Sequence, residues 1–164
     1  PKTPKPQNPK TPKPQNPVLL NIKENEFYDV TICNPPFHSS ETAAKAGTLR
    51  KLTNLKQQKT TKHELNFGGK QHELWCIGGE EQFTENMIHQ SKEFAASCLW
   101  FTTLISKSSN LHGVYKALKK AGAADVKTIP MAQGNKVSRV VAWTFLSTQE
   151  QQNWVTARWN KKTN

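Results

Sequence analysis

Four consecutive residues, Asn34-Pro35-Pro36-Phe37, follow directly on a run of β-branched and aromatic residues, Glu26 to Cys33 (Glu-Phe-Tyr-Asp-Val-Thr-Ile-Cys). A hydrophobic run that stops at Asn-Pro-Pro reads as a buried strand with an abrupt end. In a sheet of parallel strands, ligands sit beyond the carboxyl ends, so this tetrapeptide falls where a substrate belongs. Its residue types suit one task. The exocyclic amine of adenine is a poor nucleophile because its lone pair is delocalised into the ring. Two fixed acceptors, the Asn34 side-chain oxygen and the Pro35 carbonyl oxygen, would take both amine hydrogens and localise the lone pair toward an incoming electrophile. That is positioning and electrostatic preorganisation, with little need for a strong base. Each proline disfavours helix in the residue before it, which keeps Asn34 and Pro35 extended. Phe37 offers a face for stacking an extruded base, worth about 1–3 kcal/mol. Asn34, Pro35, Pro36 and Phe37 are the candidate catalytic residues; the plainer alternative is a strand-ending turn with a buried phenylalanine.

The elements that must position this corner follow from periodicity. His38 to Lys70 is polar and irregular, and between Lys45 and Lys62 it holds six basic residues and no acid. Gly78-Gly79-Glu80-Glu81 opens a helix with acids in its first turn and an apolar face of Phe83, Met87, Ile88 and Phe94. Ser97 to Ser106 predicts a second buried strand, and Asn110 to Ala121 an amphipathic helix stopped by Gly122. Ala124 to Ala132 and Val137 to Leu146 predict two strands joined by Gln-Gly-Asn-Lys, then a short helix carrying Trp154 and Trp159. Strands separated by helices imply parallel crossovers, while the last short connection demands an antiparallel pair. The expected fold is α/β with an antiparallel last strand, and Trp100 and Trp143, inside strands, are expected in its core.

The chain has 164 residues and a formal net charge of +11. That excess favours a polyanionic partner, nucleic acid being the commonest. Residues 1–17 are the octapeptide Pro-Lys-Thr-Pro-Lys-Pro-Gln-Asn written twice and followed by Pro17; they hold seven of the ten prolines, four lysines and no acid. Such a segment predicts an extended, disordered tail beside a partial domain over 18–164, either a linker or an RNA-touching arm. Subtracting its four charges from +11 leaves +7, so the remainder is basic in its own right. The longest mostly apolar run, Cys98 to Ile105, is too short to span a bilayer. With no charged-then-apolar leader, the expectation is a cytoplasmic protein without a membrane partner. Cys33, Cys76 and Cys98 show neither metal-ligand spacing nor a disulfide pattern, so reduced thiols and no metal are expected.

The run Asp29 to Ser40 (Asp-Val-Thr-Ile-Cys-Asn-Pro-Pro-Phe-His-Ser-Ser) resembles the motif region of the ribosomal large-subunit RNA adenine-N6 methyltransferases. Three further blocks resemble that family in the same order. They are Leu65-Asn66-Phe67-Gly68-Gly69 with Glu73-Leu74-Trp75-Cys76 and Gly78-Gly79-Glu80; Trp100-Phe101-Thr102 with Leu104; and Met131-Ala132-Gln133-Gly134 through Ser138-Arg139 to Ala142-Trp143-Thr144-Phe145. The resemblance covers about residues 18 to 160. It implies the C-terminal half of a class I, Rossmann-like methyltransferase sheet. It also implies transfer of a methyl group from S-adenosylmethionine to the N6 amine of one adenine in 23S ribosomal RNA, with Asn34, Pro35 and Phe37 gripping the amine. Asn34 alone would also touch the methyl donor. The family's glycine-rich loop after the first strand has no counterpart before Asn34, where the proline repeat stands instead.

That departure predicts a β-strand at Asp29–Cys33 left as an unpaired hydrophobic edge, weak binding of the methyl donor, little turnover by this chain alone, and the missing N-terminal half as a possible partner. Candidate RNA contacts are Lys45, Arg50, Lys51 and Lys56 in the basic stretch, where they would position a backbone without reading sequence. Gln133, Lys136 and Arg139, at the rim shared with Asn34, would hold phosphates or the target base; a hairpin stabilised by Arg139 is the alternative. Two other activities stay open: a ribosomal RNA guanine-N2 methyltransferase, whose motif is similar to Asn-Pro-Pro-Phe-His, and a non-catalytic RNA-binding fragment.

Overall fold

Alternation over Leu99–Ile105 organises the molecule: Leu99, Phe101, Thr103 and Ile105 are buried, while Trp100, Thr102 and Leu104 are half-buried. A strand patterned this way needs cover on one face and partners along both edges. The computed structural model, which describes residues 22, 25–44, 46, 74–133 and 136–159, supplies both. The strands are β1 (Tyr28–Cys33), β2 (Cys98–Ile105), β3 (Asp125–Gln133) and β4 (Lys136–Thr144); the helices are α1 (Gly79–Ser91), α2 (Leu111–Ala121) and α3 (Thr148–Arg158). The proline repeat and all of 47–73, including Arg50, Lys51 and Lys56, lie outside the described residues, as does Lys45.

The sheet runs β1-β2-β4-β3. β1 lies parallel to β2, with Cys33 opposite Thr103. β4 is antiparallel to both β2 and β3, with Phe101 opposite Trp143 and Gln133 opposite Lys136. A two-residue hairpin connection forces β4 to reverse, and β4 inserts beside β2 instead of ending the sheet. The carboxyl ends of β1, β2 and β3 and the start of β4 consequently share one rim. The expected α/β fold with a reversed strand is present, each strand boundary falling within two residues of its sequence-based limits.

One face of the sheet is covered. Phe101, Ile105, Val141 and Trp143 pack with Met87 and Ile88 of α1 and with Val114, Ala117, Leu118 and Ala121 of α2. Trp143 is fully buried and stacks on Phe101 at 5.9 Å and 19°. Its indole N–H donates to Ser91 Oγ at 3.0 Å, and Ser91 in turn donates to the Ile88 carbonyl at 2.7 Å, so both of these buried polar groups are paired, whereas Thr103 Oγ1 on the same face is buried without a partner. Trp100 departs from expectation. Neighbouring residues in a strand face opposite ways, so the register that buries Trp143 with Phe101 turns Trp100 to the other face. There it is half-buried with the Lys127 ammonium 4.6 Å from its ring centroid.

That second face carries Ile32 at 87% exposure and Val30 at 50%, both on β1, whose only strand partner among the described residues is β2. Gly122 ends α2 at φ +83°, a conformation that disfavours any side chain although open space surrounds it. Ser147 and Glu150 form a reciprocal capping box at the start of α3. α3 is fastened to the beginning of β1. Trp154 Nε1 donates to Asp29 Oδ1 at 2.7 Å, Arg158 Nε donates to the same oxygen at 3.0 Å, and Trp154 meets Phe27 edge to face at 5.9 Å.

The Trp154 indole N–H, with Trp159 and Arg158 assisting and partial desolvation opposing, holds the Asp29 carboxyl below its ordinary value of 3.8. A depressed folded-state value means the fastening contributes fully above pH 3.8 and is lost as pH falls through the folded value. Acid titration of tryptophan fluorescence is expected to show a transition below that pH, absent in Asp29→Asn. An identical transition in the variant would assign it to another group.

Candidate functional site at the carboxyl rim

The corner after β1 is built by its two prolines. Pro35 and Pro36 are buried, Asn34 is exposed and Phe37 half-buried. Burial of both rings, together with the fixed φ of proline, makes this a stiff exit from the strand. Among the described residues the Asn34 side chain has no hydrogen-bond partner, so its amide oxygen is open to a ligand. Pro35 is less than 2% exposed, so its carbonyl oxygen is covered in this conformation. Cys33 adjoins the corner, and burial pushes its thiol up, which keeps it protonated at neutral pH and removes it as a nucleophile. Burial likewise raises the Cys76 thiol and pushes Cys98 up to about 11.

Backbone pairing then brings α1 to the corner. His38 and Trp75 form a parallel bridge: His38 N–H donates to the Leu74 carbonyl at 3.3 Å and Cys76 N–H to the His38 carbonyl at 3.0 Å. Gly79 N–H closes the turn on the Cys76 carbonyl at 2.9 Å. The two glycines serve different needs. Gly78, at φ +79°, would place a Cβ 2.4 Å from Gln82 Cβ; Gly79, at φ +64°, would place one 3.4 Å from the Ser39 backbone nitrogen. Only glycine reconciles this turn with the close approach of the segment after Phe37. The result is an open cleft of about 140 Å³ lined by Phe37, Ser39, Gly79, Glu80, Lys107 and Asn110 among others. It is smaller than the roughly 300–1,000 Å³ of enclosed small-molecule pockets and suits one face of a group held against Phe37.

Glu80 forms the back of this cleft. It is only 2% exposed, and its carboxylate accepts hydrogen bonds from the Ser106 backbone N–H, from Ser106 Oγ at 2.7 Å and from Asn110 Nδ2 at 3.0 Å. It also sits in the first turn of α1, where the helix dipole favours an anion. No cation pairs with it among the described residues; neutral donors satisfy the buried charge. The arrangement ties the end of β2 and the entry to α2 against the start of α1. The sequence marks Glu80 as a first-turn acid and as part of the Gly78-Gly79-Glu80 block, and Ser39 as part of the Asp29–Ser40 run; it gives neither a role, and it does not show that the Gly-Gly turn delivers Glu80 inward or that Asn110 meets it there.

Of the other candidates, Gln133 and Lys136 are paired backbone to backbone at the rim. Arg139 sits half-buried between Ile105 and Pro130, on the face covered by α1 and α2. Its guanidinium makes no hydrogen bond or ion pair among the described residues, and Nη1 is buried without a partner. The hairpin therefore takes no bond from it. Among the described residues no three His, Cys, Asp or Glu side chains gather as metal ligands, and no helix is long and apolar enough to cross a membrane.

A family model described as RNA methyltransferase matches residues 10–147. The ribosomal RNA large subunit methyltransferase F of Cytophaga hutchinsonii is 61% identical over 138 residues, covering 84% of this chain and 43% of its own length. That of Shewanella sediminis is 49% identical over 152 residues, covering 84% of this chain and 38% of its own. The chain thus spans about two-fifths of the length of these curated relatives. Among solved structures, the human Mettl16 catalytic domain in complex with MAT2A 3′UTR hairpin 1 aligns with a TM-score of 0.62 at 24% identity, over 80% of this chain and 44% of that one. That likeness establishes a methyltransferase-domain fold.

Two stability outcomes follow from this geometry. Glu80→Ala strands Ser106 and Asn110 and is expected to cost about 2–3 kcal/mol in urea unfolding, with Glu80→Gln losing less because it keeps an acceptor. Equal losses would mean the carboxylate's bonds contribute little. Arg139→Met removes no bond and is expected to leave the unfolding midpoint unchanged or higher; a clear fall would return Arg139 to a structural role.

Proposed function

This chain belongs to the RNA methyltransferase family, and from that premise we propose that it is the base-gripping half of an enzyme methylating the N6 amine of an adenine in 23S ribosomal RNA. The observation that carries the reading is the exposed, unbonded Asn34 amide at the carboxyl end of β1, on a proline-stiffened corner with Phe37 lining the adjacent cleft. The Asn34 side-chain oxygen accepts one amine hydrogen. The Pro35 carbonyl accepts the other after a local shift that uncovers it. Phe37 stacks on the flipped purine, and Pro36 keeps the preceding carbonyl from turning into a helix. With both hydrogens held, the nitrogen lone pair projects toward the donor carbon. A bond forms from nitrogen to the methyl group as the donor's sulfur–carbon bond breaks, and the surplus amine proton passes to solvent.

S-adenosylmethionine supplies the electrophilic methyl group. This sequence contains no Gly-x-Gly-x-x-Gly segment, and in this reading Asn34 borders the donor. In this reading an N-terminal half holds its methionine and ribose, and the present chain alone binds it weakly and turns over little. Lys45, Arg50, Lys51 and Lys56 contact the RNA backbone, and Gln133, Lys136 and Arg139 hold the target nucleotide at the rim. The two curated relatives named above are ribosomal RNA large subunit methyltransferases, which supports ribosomal RNA as the substrate.

The test joins this chain to the N-terminal segment of the Cytophaga hutchinsonii relative and analyses nucleosides from treated 23S RNA by mass spectrometry. N6-methyladenosine is expected, with Asn34→Ala slowing its formation on the order of 10²–10³-fold, the size of losing one preorganised polar contact. N2-methylguanosine in its place would overturn the adenine assignment.

A further inference from the structure

We propose that the outer face of α2 is a second contact for the RNA backbone, leading from the cleft at the rim down the side of the domain; the inference rests on the nucleic-acid substrate proposed above. At about 100° per residue, His112, Lys116 and Lys120 form one row along the helix, with Tyr115 and Lys119 beside it. These five residues are exposed and fill one continuous sector. Val114, Ala117, Leu118 and Ala121 are buried on the opposite side. Lys107, exposed, lines the cleft with Phe37 four residues before the helix begins.

The lysines of this sector form no ion pair among the described residues. No acid occurs within Leu111–Ala121. Glu81 and Glu85 of α1 stand along one flank of the sector, at Gly113, where an added Cβ would lie 2.6 Å from Glu81 Oε1 and 3.6 Å from Glu85 Oε1. Among the described residues Lys116, Lys119 and Lys120 have no ion-pair partner, in contrast to Lys127 beside Asp125 at 3.9 Å and Arg158 beside Asp29 at 3.0 Å. Lys119 and Lys120 stand in the last turn, where the helix dipole favours cations. That effect fades beyond one turn and does not account for Lys116. Tyr115 adds a ring held in place by its hydroxyl's 2.7 Å hydrogen bond with Thr128. A membrane surface is the poorer match, because a membrane-seeking helix turns its apolar side outward and α2 buries its apolar side in the core.

The test measures binding of a fluorescein-labelled, adenine-containing RNA hairpin to the 164-residue chain by anisotropy, between about 50 and 200 mM salt. Replacing Lys116, Lys119 and Lys120 together by Gln should weaken binding about tenfold or more at the middle of that range. It should also reduce the slope of log affinity against log salt by about two to three. Circular dichroism should stay unchanged, because the three side chains are exposed. Asn34→Ala should leave the slope intact. An unchanged slope in the triple variant would overturn this surface while leaving the base-gripping corner standing. Absence of RNA binding by the unmodified chain would overturn both. Loss of binding to phosphatidylglycerol vesicles with RNA binding intact would reassign the face to membranes.

Discussion

A carboxylate withdrawn from water must be bonded on nearly every side, and Glu80 meets that demand with donors from two other segments. Ser106 and Asn110 lie 26 and 30 residues further along the chain. Satisfying one buried charge therefore fixes where β2 ends and α2 begins relative to the first turn of α1. Because α1 is also stitched to the residue after Phe37, the same charge indirectly sets the distance between the stiff corner and the opposite wall of the cleft. The rim depends on this electrostatic obligation more than on hydrophobic packing, which lies deeper, around Phe101 and Trp143.

The sheet divides its labour between faces. The face beneath α1 and α2 holds the stacked rings of Phe101 and Trp143 and the Trp143–Ser91 hydrogen bond, with Thr103 Oγ1 and Arg139 Nη1 buried and unpaired. The second face exposes Ile32 and Val30 on the outermost described strand. An apolar edge of this kind invites pairing with further strands. The corner is also chemically one-sided: it has an open amide and a half-buried ring, while the Pro35 carbonyl is covered.

Local features were legible in the sequence. The strand before Asn34 is marked by β-branched residues and a proline stop, the final hairpin by its short polar connection, and the end of α2 by Gly122. Each is decided within a few residues. Trp100 and Trp143 are not distinguishable in this way, since both sit in apolar strand runs; only the pairing of Phe101 with Trp143 shows which ring enters the core. Glu80 was unreadable for a related reason, because its donors are distant in sequence. Asp29 is the extreme case: it receives Trp154 from 125 residues away. The basic residues at 45–62 are plain in composition, but composition does not say what they face.

Arg139 shows how a feature unfavourable to folding bears on function. A guanidinium half-buried between Ile105 and Pro130, with one nitrogen buried and unpaired, lowers stability relative to an apolar residue of the same length. Packing alone gives no reason to keep it. It lies opposite Ile105, the last residue of β2, toward the rim. Asn34, exposed with an unused amide beside two buried prolines, stands at that rim as well. Thr103 Oγ1, near the same end of β2, is also buried without a partner, so among the described residues the buried unpaired side-chain atoms both lie toward the carboxyl rim of the sheet.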